Sequence, residues 1–185
     1  MERDLKREDW LRQARRALLG GGVEAVRVEK LARSLNVTKG SFYWHFKGRK
    51  ELLELLLHEW ENEVPEILEQ LGPGSAEGKF QALVRLLERR ARLSEEGKVP
   101  SDAAIFAWAS VDPAVARRVN RAEEGRLRLL KRILGRGGRI ELFYLVWLGF
   151  VARGQRVPAT RKRFPEIARM MRRLLSTSGR GSTDL

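Results

Sequence analysis

The stretch from Leu35 to Phe46, "LNVTKGSFYWHF", decides how the rest of this chain is interpreted. Its last five positions carry four aromatic rings and a histidine, in the order Phe42, Tyr43, Trp44, His45 and Phe46. Successive side chains on a helix differ in direction by about 100°, so five consecutive bulky groups cannot all reach one core. Some of these rings must face solvent close to a lysine, which indicates a surface that binds a polar or charged partner.

The residues around these rings predict two short helices joined by a tight turn. Within Val28–Leu35, apolar residues recur at i, i+3, i+4 and i+7, the spacing of a short amphipathic helix. Asn36 accepts the left-handed backbone that a tight turn needs. Thr38 is a good N-cap for a second helix over Thr38–Phe46. The pair is a helix-turn-helix, whose second helix lies in the major groove of DNA when such a motif binds a duplex.

The side chains of the second helix divide into an inner and an outer set. Val37, Phe42 and Phe46 are expected to face inward and to fix this helix to its neighbours. The outer set can contact DNA through a lysine charge, through hydroxyl and imidazole hydrogen bonds to phosphate, and through flat rings against sugars or thymine methyls. Its members are Lys39, Ser41, Tyr43, Trp44 and His45.

At this point the sequence resembles a known family. The segment "VEKLARSLNVTKGSFYWHFKGRKELL", residues 28–53, is similar to the DNA-binding segment of the TetR family of bacterial repressors, and the similarity covers roughly residues 5–60. Two positions depart from the family pattern. Asn36 stands where the family usually has glycine, and Arg27 stands where a small hydroxyl residue is common.

The resemblance implies a role for each matching residue. Tyr43 and His45 would hold phosphates, and Thr38 would cap the recognition helix. Lys50 would add a phosphate contact at the positive end of the following helix. Arg27 departs from the family pattern, and its long basic side chain could reach a phosphate or the minor groove. The other three side chains of the outer set, Lys39, Ser41 and Trp44, would lie nearest the bases. No base can be assigned from these side chains.

Almost every segment of the chain has helical periodicity, and the resemblance implies an all-α fold of about nine helices. The predicted organisation is a three-helix DNA-binding domain at residues 1–50, a helical effector-binding and dimerisation domain at 51–175, and a disordered tail at 176–185. Ile140–Ala152 is apolar nearly all round and Phe164–Leu175 is amphipathic, so these two helices are the expected homodimer interface. A wholly intrachain core helix is the alternative for Ile140–Ala152.

Repressors of this family typically leave their operator when a small molecule binds the C-terminal domain. The apolar side chains that would line such an effector cavity, or would simply pack together, are Phe80, Leu83, Leu87, Phe106, Trp108, Phe143 and Trp147. Residues 115–185 hold 18 basic and 5 acidic side chains. This excess predicts an effector with an anionic group, although an apolar effector stays open.

The composition narrows the classes of function. The chain has 185 residues, a net charge of +13, two histidines and no cysteine. These numbers favour a polyanionic partner, leave little material for a catalytic pair, and predict no metal site and no cofactor. The charged N-terminus does not resemble a signal peptide, and the longest apolar run is too short to span a bilayer, so a cytoplasmic protein without membrane contact is expected. A helical enzyme, or a charge-driven RNA-binding or membrane-surface protein, is the alternative.

Overall fold

The computed structural model describes residues 5–69, 71, 73–135, 138–157 and 159–176. All regular structure in these residues is helical, which confirms the predicted all-α fold. The described ranges form one 3₁₀ turn, Val23–Ala25, and the helices α1 Arg7–Gly21, α2 Val28–Leu35, α3 Lys39–Tyr43, α4 Arg49–Glu69, α5 Ala76–Glu95, α6 Asp102–Ala109, α7 Pro113–Leu134, α8 Gly138–Arg156, α9 Ala159–Lys162 and α10 Phe164–Ser176. Ser176, expected to begin the disordered tail, is the last residue of α10, and the rest of the predicted tail lies outside the described residues.

Two turn residues give the N-terminal helices their order. Gly22 ends α1 with φ +68°, and its N–H donates to the carbonyl of Leu18 at 3.0 Å. Asn36 ends α2 with φ 56° and ψ 46°, the left-handed conformation that was predicted for the turn. The N–H of Val37 then donates to the carbonyl of Ala32 at 3.0 Å, which satisfies the open end of α2 and turns the chain into α3.

Three aromatic rings anchor α3 from behind. Phe42 is fully buried, and its centroid lies 5.2 Å from that of Trp10 and 5.0 Å from that of Phe46. The guanidinium of Arg7 lies 5.0 Å from the Phe46 centroid and covers the outer end of this stack. Ring pairs of this kind contribute about 0.5–1.5 kcal/mol each beyond the area that they bury. The predicted inward positions of Phe42 and Phe46 are therefore those observed.

Helix α3, the expected recognition helix, is shorter than the sequence predicted, and Thr38 does not cap it as predicted. It spans Lys39–Tyr43 rather than Thr38–Phe46, and Thr38 is at the N-cap position but makes no side-chain capping hydrogen bond. The N–H groups of His45 and Phe46 both donate to the carbonyl of Phe42, at 3.0 and 3.1 Å. This shared acceptor tightens the last turn, as often happens at helix ends, so regular geometry stops early while the chain stays wound.

The described chain packs as two compact units. Unit 1 contains the residues up to Val64 together with Arg89–Ala122, and unit 2 contains Pro65–Glu88 together with the residues from Glu123 onward. The boundary expected at residue 50 is a functional division and stays a prediction. Among the described residues, no helix combines the length and the hydropathy that crossing a membrane requires.

A buried cluster of charges lies in unit 1. Arg90 is only 5% exposed, and it donates to Glu63 at 3.0 Å, to Asp102 at 2.8 Å and to the carbonyl of Pro100 at 3.0 Å. The indole N–H of Trp60 donates to the second oxygen of Asp102 at 2.7 Å. Burial opposes the charge of Arg90, but the two carboxylates outweigh it, so the pKa of this guanidinium is raised. The cluster fixes α4, α5 and α6 to one another.

Two further arginines pair with three other glutamates of α4. Arg15 of α1 is buried and pairs with Glu59 at 2.7 Å, and Arg118 of α7 pairs with Glu54 at 2.5 Å and with Glu61 at 2.7 Å. Together with the Arg90–Glu63 pair, these contacts use four glutamates of α4 and hold α1, α5 and α7 to this helix.

The loop between α5 and α6 rests on α1. Arg15 Nη1 donates to the carbonyl of Gly97 at 3.3 Å, and Arg16 Nε donates to the carbonyl of Glu96 at 3.2 Å. Gly97 has φ +72°, and a Cβ there would lie 2.7 Å from Arg16 Cγ and 3.0 Å from the carbonyl oxygen of Arg12. A side chain at this position would therefore push the loop off α1.

Unit 2 is held by aromatic contacts. The rings of Phe80 and Phe143 meet edge to face at 5.5 Å, and those of Trp147 and Phe164 do so at 5.8 Å. An ion pair between Lys131 and Glu141 joins α7 to α8.

We expect Arg90→Leu to lower the free energy of unfolding by about 3–5 kcal/mol, because it leaves Asp102 and Glu63 without their buried cation. Urea denaturation followed by circular dichroism measures the loss. Arg89→Leu is the matched control: Arg89 is the exposed neighbour on the same helix, and its replacement should change stability by about 0.5 kcal/mol or less. Equal losses in the two variants would contradict the role given to the cluster.

Candidate nucleic-acid interface

Three of the five outer side chains predicted for the helix-turn-helix, Lys39, Tyr43 and Trp44, are exposed to solvent. Tyr43 is 57% exposed and Trp44 is 89% exposed. Thr38 and Lys39 are exposed as well, whereas Ser41 and His45 are half-buried. Six of the eight predicted DNA contacts therefore lie on one short segment, outside the core that Phe42 and Phe46 enter.

Trp44 is unusual among the five tryptophans of this chain, all of which lie in described residues. Trp10 and Trp60 are fully buried, and Trp108 and Trp147 are at most 9% exposed. Trp44 follows directly on the exposed ring of Tyr43 at the end of α3. Residues 5–46, called the head below, are well packed, yet these two adjacent aromatic side chains are held in solvent. Such an exposed pair indicates a partner that covers it.

Arg27 and Lys50, the two remaining predicted contacts, lie at the starts of α2 and α4. Arg27 is exposed at the N-cap of α2, with its Nε donating to the carbonyl of Glu24 at 3.0 Å. Lys50 is exposed in the first turn of α4. The structure places both side chains in solvent within unit 1, and their contacts to phosphate stay predictions.

Two residues that position this surface were missed by sequence reasoning. Arg49 donates to the carbonyl of Val26 at 2.6 Å and to that of Val23 at 2.7 Å, so it holds the start of α4 against the chain that enters α2. The sequence did contain a sign of this role. A positive charge in the first turn of a helix is unfavourable beside the helix dipole, so an arginine there is expected to have a fixed acceptor.

Glu51 is the second missed residue. Its carboxylate accepts the N–H of Lys47 at 2.6 Å and pairs with Arg7 at 3.4 Å. This carboxylate in the first turn of α4 accepts a backbone N–H from the chain just before the helix and links α4 to α1.

Lys39 is already engaged in the protein without DNA. Its Nζ lies 2.5 Å from Glu29 Oε1, across the turn between α2 and α3. The hydrogen bond from Lys39 lowers the pKa of Glu29, and the same bond raises the pKa of Lys39. Both side chains are about half exposed, so bulk water and salt weaken the pair.

The predicted effector-lining residues are divided between the two units. Phe80, Leu83, Phe143 and Trp147 are buried in unit 2, with Leu87 partly buried there. Phe106 and Trp108 belong to unit 1 instead. Phe106 packs edge to face on Trp60 at 5.9 Å, and Trp108 lies in the unit 1 core. Apolar periodicity marks a buried face but does not say which neighbour buries it, and this is why the seven residues were grouped together.

Helix α8 exposes an apolar stripe. Ile140, Phe143 and Trp147 are buried on one side of it. On the opposite side Leu142 is 45% exposed and Leu145 is 63% exposed, and Gly149 and Ala152 continue the same face at helical spacing. In the described part of the chain, this apolar face of α8 is exposed to solvent and is available to pack against a partner. On α10, Met170 is 56% exposed.

No group of three or more histidine, cysteine or acidic side chains that could hold a metal ion occurs among the described residues. The chemistry at this surface is therefore that of lysine and arginine charges, hydroxyl and imidazole hydrogen bonds, and exposed rings. Those groups suit a phosphate backbone and base edges.

Comparison with known proteins agrees with this geometry. Residues 11–56 match a family model described as bacterial regulatory proteins, tetR family. Curated protein sequences give no match to this chain.

Solved structures match over the length of the chain. A transcriptional regulator (TerR/AcrR family) from Aquifex aeolicus VF5 has a TM-score of 0.62 at 17% identity, covering 90% of this chain and 95% of that chain. Salmonella enterica GusR has a TM-score of 0.63 at 17% identity, with 92% and 93% covered. FadR from Bacillus subtilis, in complex with stearoyl-CoA, has a TM-score of 0.59 at 15% identity, with 95% and 100% covered. At these identities the likeness shows a shared fold.

Proposed function

We infer that this chain, which carries a tetR-family domain on the fold of TetR/AcrR regulators, represses transcription as a homodimer that leaves its operator when a small molecule binds. The observation that carries the proposal is the head itself. Within the matched residues, Phe42 and Phe46 are buried while Tyr43 and Trp44 are held in solvent. A regulator of bacterial genes works on the chromosome, so we place the protein in the cytoplasm.

The head would bind DNA through two kinds of contact. Phosphates would be held by Tyr43 and His45, with Lys50 and Arg27 adding charge at the starts of α4 and α2. Such contacts fix the register of the protein on the duplex. Lys39, Ser41 and Trp44 would face the base edges. An enzyme or a charge-driven RNA binder would not need polar-tipped rings outside an anchored helix, and this favours DNA over the alternatives.

Selection of genomic fragments by the purified protein would identify the operator, and a double variant then tests the contacts. We expect Tyr43→Phe/His45→Ala to weaken operator binding about five-fold or more, since two phosphate hydrogen bonds contribute about 1–3 kcal/mol together. Fluorescence anisotropy of the labelled operator measures affinity, and shielding of Trp44 from acrylamide reports contact. His58→Ala, at the exposed second histidine, is the control. Full operator affinity in the double variant would contradict this assignment.

The apolar stripe of α8 supports the proposed dimer. Leu142 and Leu145 would pack against the same residues of a second copy, and Gly149 and Ala152 would allow the two helices to approach closely. A dimer is also what the head needs, because dimeric helix-turn-helix proteins place two recognition helices about 34–36 Å apart to read two half-sites. The predicted participation of Phe164–Leu175 is supported by the exposed Met170.

We expect Leu145→Arg to convert the dimer into a monomer, because a charge in the centre of an apolar interface loses its hydration without gaining a partner. Sedimentation equilibrium measures the change in mass, and operator affinity should fall with it. Val111→Arg is the matched control, since Val111 is 72% exposed and lies outside α8. A dimer that survives Leu145→Arg would exclude α8 as the interface.

The proposed effector binds in unit 2. Buried aromatic side chains there, Phe80, Phe143 and Trp147, suit an apolar ligand, and the excess of 18 basic over 5 acidic side chains in residues 115–185 suits an anionic group. FadR, which shares the fold, was solved with stearoyl-CoA, a ligand that has both features. We therefore propose an anionic amphiphile as the effector class, with a plain apolar molecule as the alternative.

Calorimetric titration with stearate and stearoyl-CoA tests this class. We expect saturable heat with at least one of them, and a five- to 150-fold loss of operator affinity in its presence, which corresponds to a coupling of about 1–3 kcal/mol. A long-chain alcohol is the uncharged control. Saturable binding of a cationic amphiphile, without binding of either anion, would contradict the proposal.

A further inference from the structure

Glu29 is placed where a DNA-binding surface would not be expected to have an acid. It is the one acidic residue between Val28 and Phe46, where the basic residues are Lys30, Arg33 and Lys39. Its side chain is 59% exposed, so neither burial nor packing accounts for it. A carboxylate on the face that meets phosphates repels them. Its presence there therefore indicates a role whose benefit exceeds this repulsion.

The structure shows which group Glu29 holds. Its Oε1 lies 2.5 Å from Nζ of Lys39, the first residue of the recognition helix. The pair borders an open depression of about 490 Å³ between the two motif helices, whose floor and walls include Ala32, Asn36 and Val37. Lys39 is thus drawn back toward α2 and does not extend freely from the recognition helix.

An ion pair at this position affects random and operator DNA differently. Binding to random duplex rests almost wholly on cations that replace the counterions of phosphates. A lysine that is neutralised by its own protein contributes little to that binding, because its pair must break first. At an operator, contacts to base edges add to the phosphate contacts, and a lysine with a fixed direction is better placed for one of them.

We propose that Glu29 is a specificity-determining residue, which orients Lys39 for the operator and withholds its charge from the phosphates of other DNA. This inference rests on the proposed DNA-binding function and concerns its discrimination. Glu29 itself acts through Lys39, so it is a positioning residue and not a base contact.

The test compares Glu29→Gln with wild type on the selected operator and on a random duplex of equal length, over a range of salt concentrations. We expect the affinity for random duplex to rise about two- to five-fold, as for release of an exposed ion pair. The slope of log affinity against log salt should steepen by about 0.9, the value for one additional phosphate contact. Operator affinity should rise less or fall, so the ratio of the two affinities decreases.

Two further variants separate this mechanism from a general charge effect. Glu24→Gln removes an equal charge from an exposed residue of the same head, and it should leave the ratio unchanged. Glu29→Gln should also have no effect on the ratio in a Lys39→Gln background, because the lysine through which it acts is gone. Equal effects of Glu29→Gln and Glu24→Gln, or a Glu29→Gln effect that persists without Lys39, would overturn the proposal.

A measurement without DNA tests the pair directly. The pKa of the Glu29 carboxyl group, followed by NMR, should lie below its ordinary value in wild type and should rise toward that value in Lys39→Gln. An unchanged pKa would overturn the proposal independently of any DNA result. Wild-type protein that prefers no genomic fragment would overturn the proposed function, whereas a clear operator preference that Glu29→Gln leaves intact would overturn this inference alone.

Discussion

The packing of Phe42 between Trp10 and Phe46 is the contact on which the rest of the head depends. A recognition helix of five residues is too short to be stable by itself, because helix nucleation is costly and most helical stability in proteins comes from tertiary packing. Burying one face of α3 in this aromatic stack holds the chain in place, and the opposite face must then point outward. The exposure of Tyr43 and Trp44 is thus a consequence of where the two phenylalanines go.

Helix α4 carries this arrangement into the rest of unit 1. Its first turn is tied to α1 and to the chain before α2 by Glu51 and Arg49, and four of its later glutamates are paired with Arg15, Arg90 and Arg118 from three other helices. Since α4 both begins at the proposed DNA surface and is fixed by buried charges, a displacement of this helix would move the head. Such a helix is a suitable element for passing a ligand signal to DNA, in the sense of a coupling between two sites.

Charge has two uses in this chain, and the sequence totals do not separate them. Glutamates of α4 pair with arginines inside unit 1, where partial burial makes each pair sensitive to the loss of one member. On the helix-turn-helix the charges stay in water, where each pair is weak and exchangeable. The Lys39–Glu29 pair belongs to the second kind, and that is why its proposed effect on DNA binding is modest.

The sequence by itself determined the helix-turn-helix, because all its signals are local. Apolar spacing defines α2, the left-handed residue Asn36 defines the turn, and the crowding of rings after Ser41 defines an inner and an outer face. The tertiary structure decided what depends on partners distant in sequence. Trp60 and Asp102 meet across 42 residues, Phe106 and Trp108 separate from the other predicted effector residues, and α8 leaves Leu142 and Leu145 uncovered. Periodicity shows that a face is apolar, but only the folded chain determines which neighbour covers it.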